Sequence, residues 1–135
     1  LFRDEEKSTF QYWFAHWCAY QMVALNLHTW KFKYLFHDAE KPWLKSILPY
    51  KKVKKIHRTY NRHHLGYRGG VNKLDFEAMV IDWECSRFTK ESAPMNARDT
   101  YEYMITKRYE NGKIDKETKE VLEKNIPPIL DRLGL

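Results

Sequence analysis

Nowhere along the 135 residues do apolar and polar side chains alternate for the length of a β-strand; apolar residues recur instead at every third or fourth position. That periodicity confines the chain to packed helices. Phe10, Trp13, Phe14, Trp17, Tyr20, Ala24 and Leu27 make a wide apolar face on a first helix expected over about residues 5–27. His28 and Thr29 read as a turn. A second helix is expected over 30–41, with Phe32, Leu35, Phe36 and Ala39 inward and Pro42 ending it. A basic stretch, 51–64, follows with Val53, Ile56 and Tyr60 as its apolar positions, and Gly66, Gly69 and Gly70 open a loop. Asp75 starts a helix to about Arg87, with Phe76, Met79, Val80 and Trp83 on one side. Residues 91–94 connect it to a helix over 97–110 that stops at Asn111-Gly112. Asp115 opens a short helix expected to fade before Pro127-Pro128, with a last turn over 129–133. The expectation is a single all-α domain over 1–135, a compact bundle of five to seven helices. Its motif-bearing core spans about 5–90, and the C-terminal helices occupy 97–135.

Composition narrows the function classes. Aromatics reach 16%, enough for a chain of this size to bury a substantial core, and with five Gly and five Pro the chain is not of low complexity. The longest apolar stretch, 13–27, is interrupted by His16, Gln21 and Asn26, so it reads as a buried amphipathic helix and no membrane partner is expected. Cys18 and Cys85 lie far apart and fit no C-x-x-C spacing. With no basic segment leading into an apolar run at the start of the sequence, they are expected as reduced thiols in the cytoplasm. The formal charge of +6 suits an anionic partner, a nucleotide or a nucleic acid.

Six histidines stand at positions 16, 28, 37, 57, 63 and 64. His37 is followed directly by Asp38, and neighbouring side chains on a helix diverge by about 100°. The pair grips one cation only where a helix end faces it. An imidazole with a carboxylate suits a borderline divalent metal such as Zn, Mn, Fe or Co. Lys41, four residues after His37, stands on the same helical face, where its ammonium meets an anion held there. A lone His-Asp dipeptide is common by chance, and its plain alternative is a hydrogen-bonded pair. His16 sits among Trp13, Trp17 and Tyr20, where an unpaired imidazole is costly to bury. Asp82, between Ile81 and Trp83, wants a cation, either a metal or an Arg or Lys. His57 and His64, seven apart, share a face if their helix continues, and His63 then points elsewhere. Glu84 diverges from Asp82 by about 200° and is left out.

These residues resemble a known pattern. His16, the His37-Asp38 pair and Asp82 are similar to the H…HD…D signature of the HD-domain metal-dependent phosphohydrolase superfamily, an all-α fold whose four signature side chains bind a divalent metal. Branches of that superfamily insert two further histidines before the last Asp to hold a second metal, and His57 with His64 or His63 resembles that insertion. The chain resembles still more closely a family of small bacterial and phage proteins that carry a first His, then HD-x-x-K, a later His leading into N-x-H-H, and M-V-x-D-W on a helix. Here these are His16, His37 to Lys41, His57, Asn61-Arg62-His63-His64, and Met79-Val80-Ile81-Asp82-Trp83, spanning 16–83. The chain departs from that pattern at Ala39-Glu40, where Ser before the Lys is usual, and at Arg62, where Pro is usual.

The resemblance implies one or two transition-metal ions (Mn, Fe, Co, Ni or Zn) held by His16, His37, Asp38 and Asp82, and by His57 and His64. It further implies hydrolysis of a nucleotide or related phosphate ester through a metal-activated water. Asp38 is then the bridging ligand that orients the nucleophile. Lys41, together with Lys55, Arg58, Arg62 and His63, is the set for holding phosphate. A di-iron oxygenase uses the same ligands. A different class of reading makes the chain a basic nucleic-acid-binding module: Lys51, Lys52, Lys54, Lys55, Arg58 and Arg62 track the backbone, and Tyr50, Tyr60 and Tyr67 stack on bases. Such a charge run is more commonly a solvated helix face. From Ser92 onward no chemistry is expected: Tyr101, Met104, Ile105 and Tyr109 read as core, and 113–124 as a solvated helix.

Overall fold

A computed structural model of the protein describes residues 10–88 and 95–135. Expectations for residues 5–9 and 91–94 therefore lie outside the described residues. Among those described there are six α-helices and no strand: α1 (Phe10–Asn26), α2 (Glu40–Lys45), α3 (Tyr50–Tyr60), α4 (Phe76–Ser86), α5 (Ala97–Tyr103) and α6 (Lys116–Leu133). None is long and apolar enough to cross a membrane. Cys18 and Cys85 are free thiols.

Helix α4 organises the molecule. Asp75 caps its first turn, its carboxylate accepting from Ala78 N at 3.1 Å. Every residue of Glu77–Ser86 except Trp83 is buried, because α1 covers one side and α5 and α6 cover the other. Ala78, Ile81 and Cys85 pack with Tyr20, Ala24 and Tyr34, while Met79 and Val80 pack with Ala97, Tyr101, Leu122, Ile126 and Leu130. Each fully buried aliphatic side chain contributes about 1.5–3 kcal/mol. A helix apolar on all sides cannot be read for direction from its periodicity, and the one-sided face expected for α4 is in fact two faces.

A helix buried all round must also satisfy its polar residues. Glu77 accepts from Thr29 Oγ1 (2.7 Å), Tyr34 Oη (2.6 Å) and Arg132 Nη2 (2.7 Å). Glu84 accepts from Ala97 N at 3.0 Å at the start of α5 and pairs with Arg87 Nε at 3.2 Å. Asp82, the third carboxylate, meets imidazoles.

Four expectations about the elements are corrected. First, α1 buries Tyr12, His16, Tyr20, Gln21 and Ala24, whereas Phe10 and Phe14 are 63% and 49% exposed. The helix carries no charged residue, so apolar side chains ring it; the fit of His16 against α4 sets its rotation. Second, 30–41 is not one helix but a 3₁₀ segment, Phe32–Phe36, then a turn, then α2. Phe32, Leu35, Phe36 and Ala39 face solvent while Tyr34, His37 and Asp38 are buried. Pro42 does not end a helix: it is the third residue of α2, where its missing N–H is not needed. Third, α3 ends at Tyr60, four residues before His64. Asn61, extended at φ −100°, ψ 131°, turns the chain out of the helix and donates from Nδ2 to His57 O at 2.9 Å. Fourth, α6 runs unbroken through Pro127-Pro128. Leu122, Ile126 and Leu130 stay on one fully buried stripe across the prolines, and their packing outweighs the lost backbone hydrogen bonds. Helix α5 continues through a π-turn, Met104–Arg108, and the rod ends near Gly112, whose φ of +72° favours glycine.

Candidate metal centre

Helix α1 holds the His37-Asp38 segment by its backbone. Trp13 Nε1 donates to Asp38 O (2.8 Å), Trp17 Nε1 to Leu35 O (2.9 Å) and Gln21 Nε2 to Tyr34 O (2.5 Å). The three donors stand at i, i+4 and i+8, on one stripe of the helix. Held this way, Asp38 adopts φ +54°, a left-handed conformation that Asp tolerates better than most residues. The HD pair thus diverges by a backbone turn, not by the angular step of a helix. His37, its ring stacked on Tyr20 at 3.8 Å, and Asp38 turn inward together.

Four donor atoms from three elements meet there. His16 Nε2 lies 2.9 Å from Asp82 Oδ1, 3.2 Å from His37 Nε2 and 3.8 Å from Asp38 Oδ2. His37 Nε2 is 3.4 Å from Asp38 Oδ2 and 3.3 Å from Asp82 Oδ1. A metal with bonds of about 2.1 Å sets neighbouring donors about 3.0 Å apart in an octahedron and about 3.4 Å apart in a tetrahedron. Four of the five separations lie near that range, and the fifth, between His16 and Asp38, is longer at 3.8 Å. Among the described residues no Lys or Arg pairs with Asp82, unlike Glu77 and Glu84 on the same helix.

The other oxygen of Asp38 faces a second set. Oδ1 is 3.0 Å from His57 Nε2 and 3.2 Å from His63 Nε2. All three atoms are buried, yet none makes a hydrogen bond, because they are close without being aligned on one another. Buried polar atoms left unmatched are costly; a cation could match three that lie this close together. Ligand atoms of His57, His63 and His64 lie within 4.8 Å of one another, as do those of His16, His37 and Asp38, and those of His16, Asp82 and Cys85. The residues therefore could hold a metal ion.

The electrostatics favour the ligating forms of Asp38, Asp82, His37 and His64, whereas His57 is drawn toward its protonated form. Burial opposes ionisation of Asp38, but His37, Lys41, His57 and His63 outweigh it and hold the carboxyl well below its ordinary range. Burial likewise opposes ionisation of Asp82, and His16 and His37 overcome it. Burial pulls His37 down against the opposing carboxylates, which favours its neutral imidazole. His64 is pushed down to about 2 by burial and by His63. His57 is raised: burial lowers it, but Asp38 and Glu40 outweigh that. Lys41 Nζ stands 3.4 Å from Asp38 Oδ2, and although burial works against its charge, Asp38 and Asp82 keep it cationic.

Of the residues singled out in the sequence, His16, His37, Asp38, Lys41, His57, His63 and Asp82 meet in this cluster. His63 faces Asp38, whereas the ring of His64 packs behind it, 4.3 Å from His63 and 4.7 Å from His57. Because α3 ends at Tyr60, His57 and His64 do not share a helical face, yet the ligand atoms of His57, His63 and His64 still lie within 4.8 Å of one another. A cavity of about 270 Å³ opens beside the cluster, lined by His37, Asp38 and His63 together with Lys33, Tyr60 and Arg62. Lys55 and Arg58 are exposed and do not line it. Lys33, Trp13 and Glu40 were not anticipated. Glu40 carries a signal in hindsight: it is the acidic residue that replaces a small one inside HD-x-x-K. No family model matches this chain, and neither a curated protein nor a solved structure matches it.

Proposed function

We propose that this protein is a metal-dependent phosphohydrolase of the HD-domain kind, acting on a nucleotide or a related phosphate ester. The observation that carries the reading is Asp38 itself: one buried carboxylate turns Oδ2 toward His16 and His37 and Oδ1 toward the unmatched nitrogens of His57 and His63. His16, His37, Asp38 and Asp82 would hold one ion; Asp38, His57 and His63, with His64 beside them, would hold a second. Bound there, a divalent metal supplies Lewis acidity to the phosphoryl oxygens and a nucleophilic water at neutral pH.

The chain supplies the rest. Lys41 stays charged beside Asp38 and balances negative charge on a bound phosphate. Arg62 is anchored through Nε on Lys73 O at 2.9 Å and, with Lys33, gives the cavity a cationic wall. Phe36 and Tyr60 add aromatic surface to the same cavity, which suits the ring of a nucleoside. Lys55 and Arg58 act at most on an approaching anion, from outside.

The test is metal content and phosphate release on untagged protein reconstituted in turn with Mn, Fe, Co, Ni and Zn, beside Asp38→Asn. The expected result is bound metal, and phosphate release from nucleotides or p-nitrophenyl phosphate, both lost in the variant while the helical circular dichroism is kept. Protein that binds none of the five metals overturns the reading. So does iron-loaded protein that consumes oxygen and releases no phosphate.

A further inference from the structure

His57 is the most enclosed histidine of the cluster, 1% exposed, and both of its ring nitrogens face carboxylates from one short stretch of chain. Nε2 lies 3.0 Å from Asp38 Oδ1 and makes no hydrogen bond. Nδ1 is hydrogen-bonded to Glu40 Oε1, the first residue of α2. Asn61, the residue that ends α3, donates from Nδ2 to the same oxygen at 3.0 Å and to His57 O at 2.9 Å; Nδ2 also lies 3.0 Å from His57 Nδ1, but those two oxygens take both of its hydrogens. Asn61 thereby pins the Glu40 carboxylate against the ring.

An ionised carboxylate only accepts. With Glu40 on Nδ1, the proton of the neutral imidazole belongs on Nδ1 and the lone pair on Nε2, the side shared with Asp38 and His63. The opposite tautomer directs an N–H at Asp38 Oδ1 out of alignment and sets the Nδ1 lone pair against the Glu40 carboxylate, which would keep only its bond from Asn61. An outer carboxylate on the far nitrogen of a ligating histidine fixes the ring and raises its basicity.

We infer that Glu40 is a positioning residue for a second metal ion: its carboxylate, braced by Asn61, takes the Nδ1 proton of His57 and presents Nε2 to an ion shared with Asp38 and His63. This rests on the reading of the cluster as a metal centre. It goes beyond that reading by assigning a role to the one acidic residue of the HD-x-x-K stretch that has no ligand position of its own. Glu40 is bonded to His57 and Asn61, on the side of the second set of donors, so the second ion should respond to it more than the first.

The experiment titrates chelator-treated protein with Mn(II) alone, by calorimetry and by electron paramagnetic resonance, for wild type, Glu40→Gln and Glu40→Ala. Wild type takes two equivalents. Each variant keeps the first unchanged and loses affinity for the second by about 10- to 100-fold, with Ala at least as severe as Gln. A purely structural Glu40 weakens both ions together or neither. If the variants do not fold, long-range proton–nitrogen NMR on wild type reads the His57 tautomer directly, and the Nδ1–H form is expected. Two outcomes overturn this inference and leave the metal centre standing: variants that bind both ions as tightly as wild type, or wild type that binds one ion only. A His57 ring protonated on Nε2 alone also overturns it. Wild type that binds no Mn(II), nor the other four metals, overturns both this and the function proposed above.

Discussion

Glu77 ties the segment that bears His37 and Asp38 to the C-terminal helix, and removing its charge tests how the site is held. The carboxylate is 9% exposed and takes hydrogen bonds from Thr29, Tyr34 and Arg132, with Lys31 Nζ 3.2 Å away. Burial opposes its charge, but these donors outweigh burial and bring its pKa from 4.5 to about 2. At about 1.4 kcal/mol per pH unit that shift is worth up to about 3 kcal/mol. Lys31 and Arg132 are half-exposed, so screening leaves about 2 kcal/mol. The folded pKa lies below the unfolded one. The stabilisation is therefore complete above about pH 4.5 and is lost as the pH falls toward 2. Glu77→Gln should cost about 2 kcal/mol at pH 7, and between pH 7 and pH 3 wild type should lose about 1–2 kcal/mol more than the variant. Urea unfolding followed by tryptophan fluorescence at both pH values, with chelator present to remove metal linkage, measures both quantities. Equal stability at pH 7, or an equal loss between pH 7 and 3, refutes the assignment of Glu77 as an ionised tie between the two ends of the chain.

Two further perturbations separate the scaffold from the site. Trp13→Phe keeps an aromatic ring but removes the N–H on Asp38 O; it should cost about 1 kcal/mol and shrink the rise in melting temperature that Mn(II) gives, as thermal melts with and without the ion would report. Ile126→Ala opens a hole in the fully buried stripe of α6 and should cost about 2–5 kcal/mol in urea unfolding, with metal stoichiometry unchanged by calorimetry.

The helical class follows from periodicity alone because three- and four-residue spacing survives every local exception. The directions of the helices do not follow from it. On α1 the residues Phe10, Phe14 and Trp17 satisfy the same spacing as Tyr12, His16 and Tyr20, and without a charge to mark the wet side the pattern supports either face. Prolines misled for a related reason. Pro42 and Pro127 are read as breaks when only the backbone is weighed. Pro42 falls where a helix has no N–H to lose, and Pro127 falls where Ile126 and Leu130 gain more from burial than the helix loses.

The residue types of the site were legible because each is expensive without the others: an Asp at position 82 inside an apolar helix, a His at position 16 among aromatics. Their arrangement depends on backbone features that spacing does not encode. The left-handed turn at Asp38 splits its two oxygens between two groups of donors, and the early end of α3 turns His63 toward Asp38 with His64 beside it. Glu40 was overlooked for a third reason. A carboxylate that touches only the far side of a ligand has no spacing rule of its own; it is recognised once His57 Nδ1 is seen to be hydrogen-bonded and Nε2 is seen to make no hydrogen bond. Asp38 and Glu40, two residues apart, hold opposite nitrogens of that one ring. The chain thus brings the second group of donors from α3 and the turn after it, braced from α2 by Glu40, while α1, His37 and α4 supply the first, and Asp38 is the side chain that joins them.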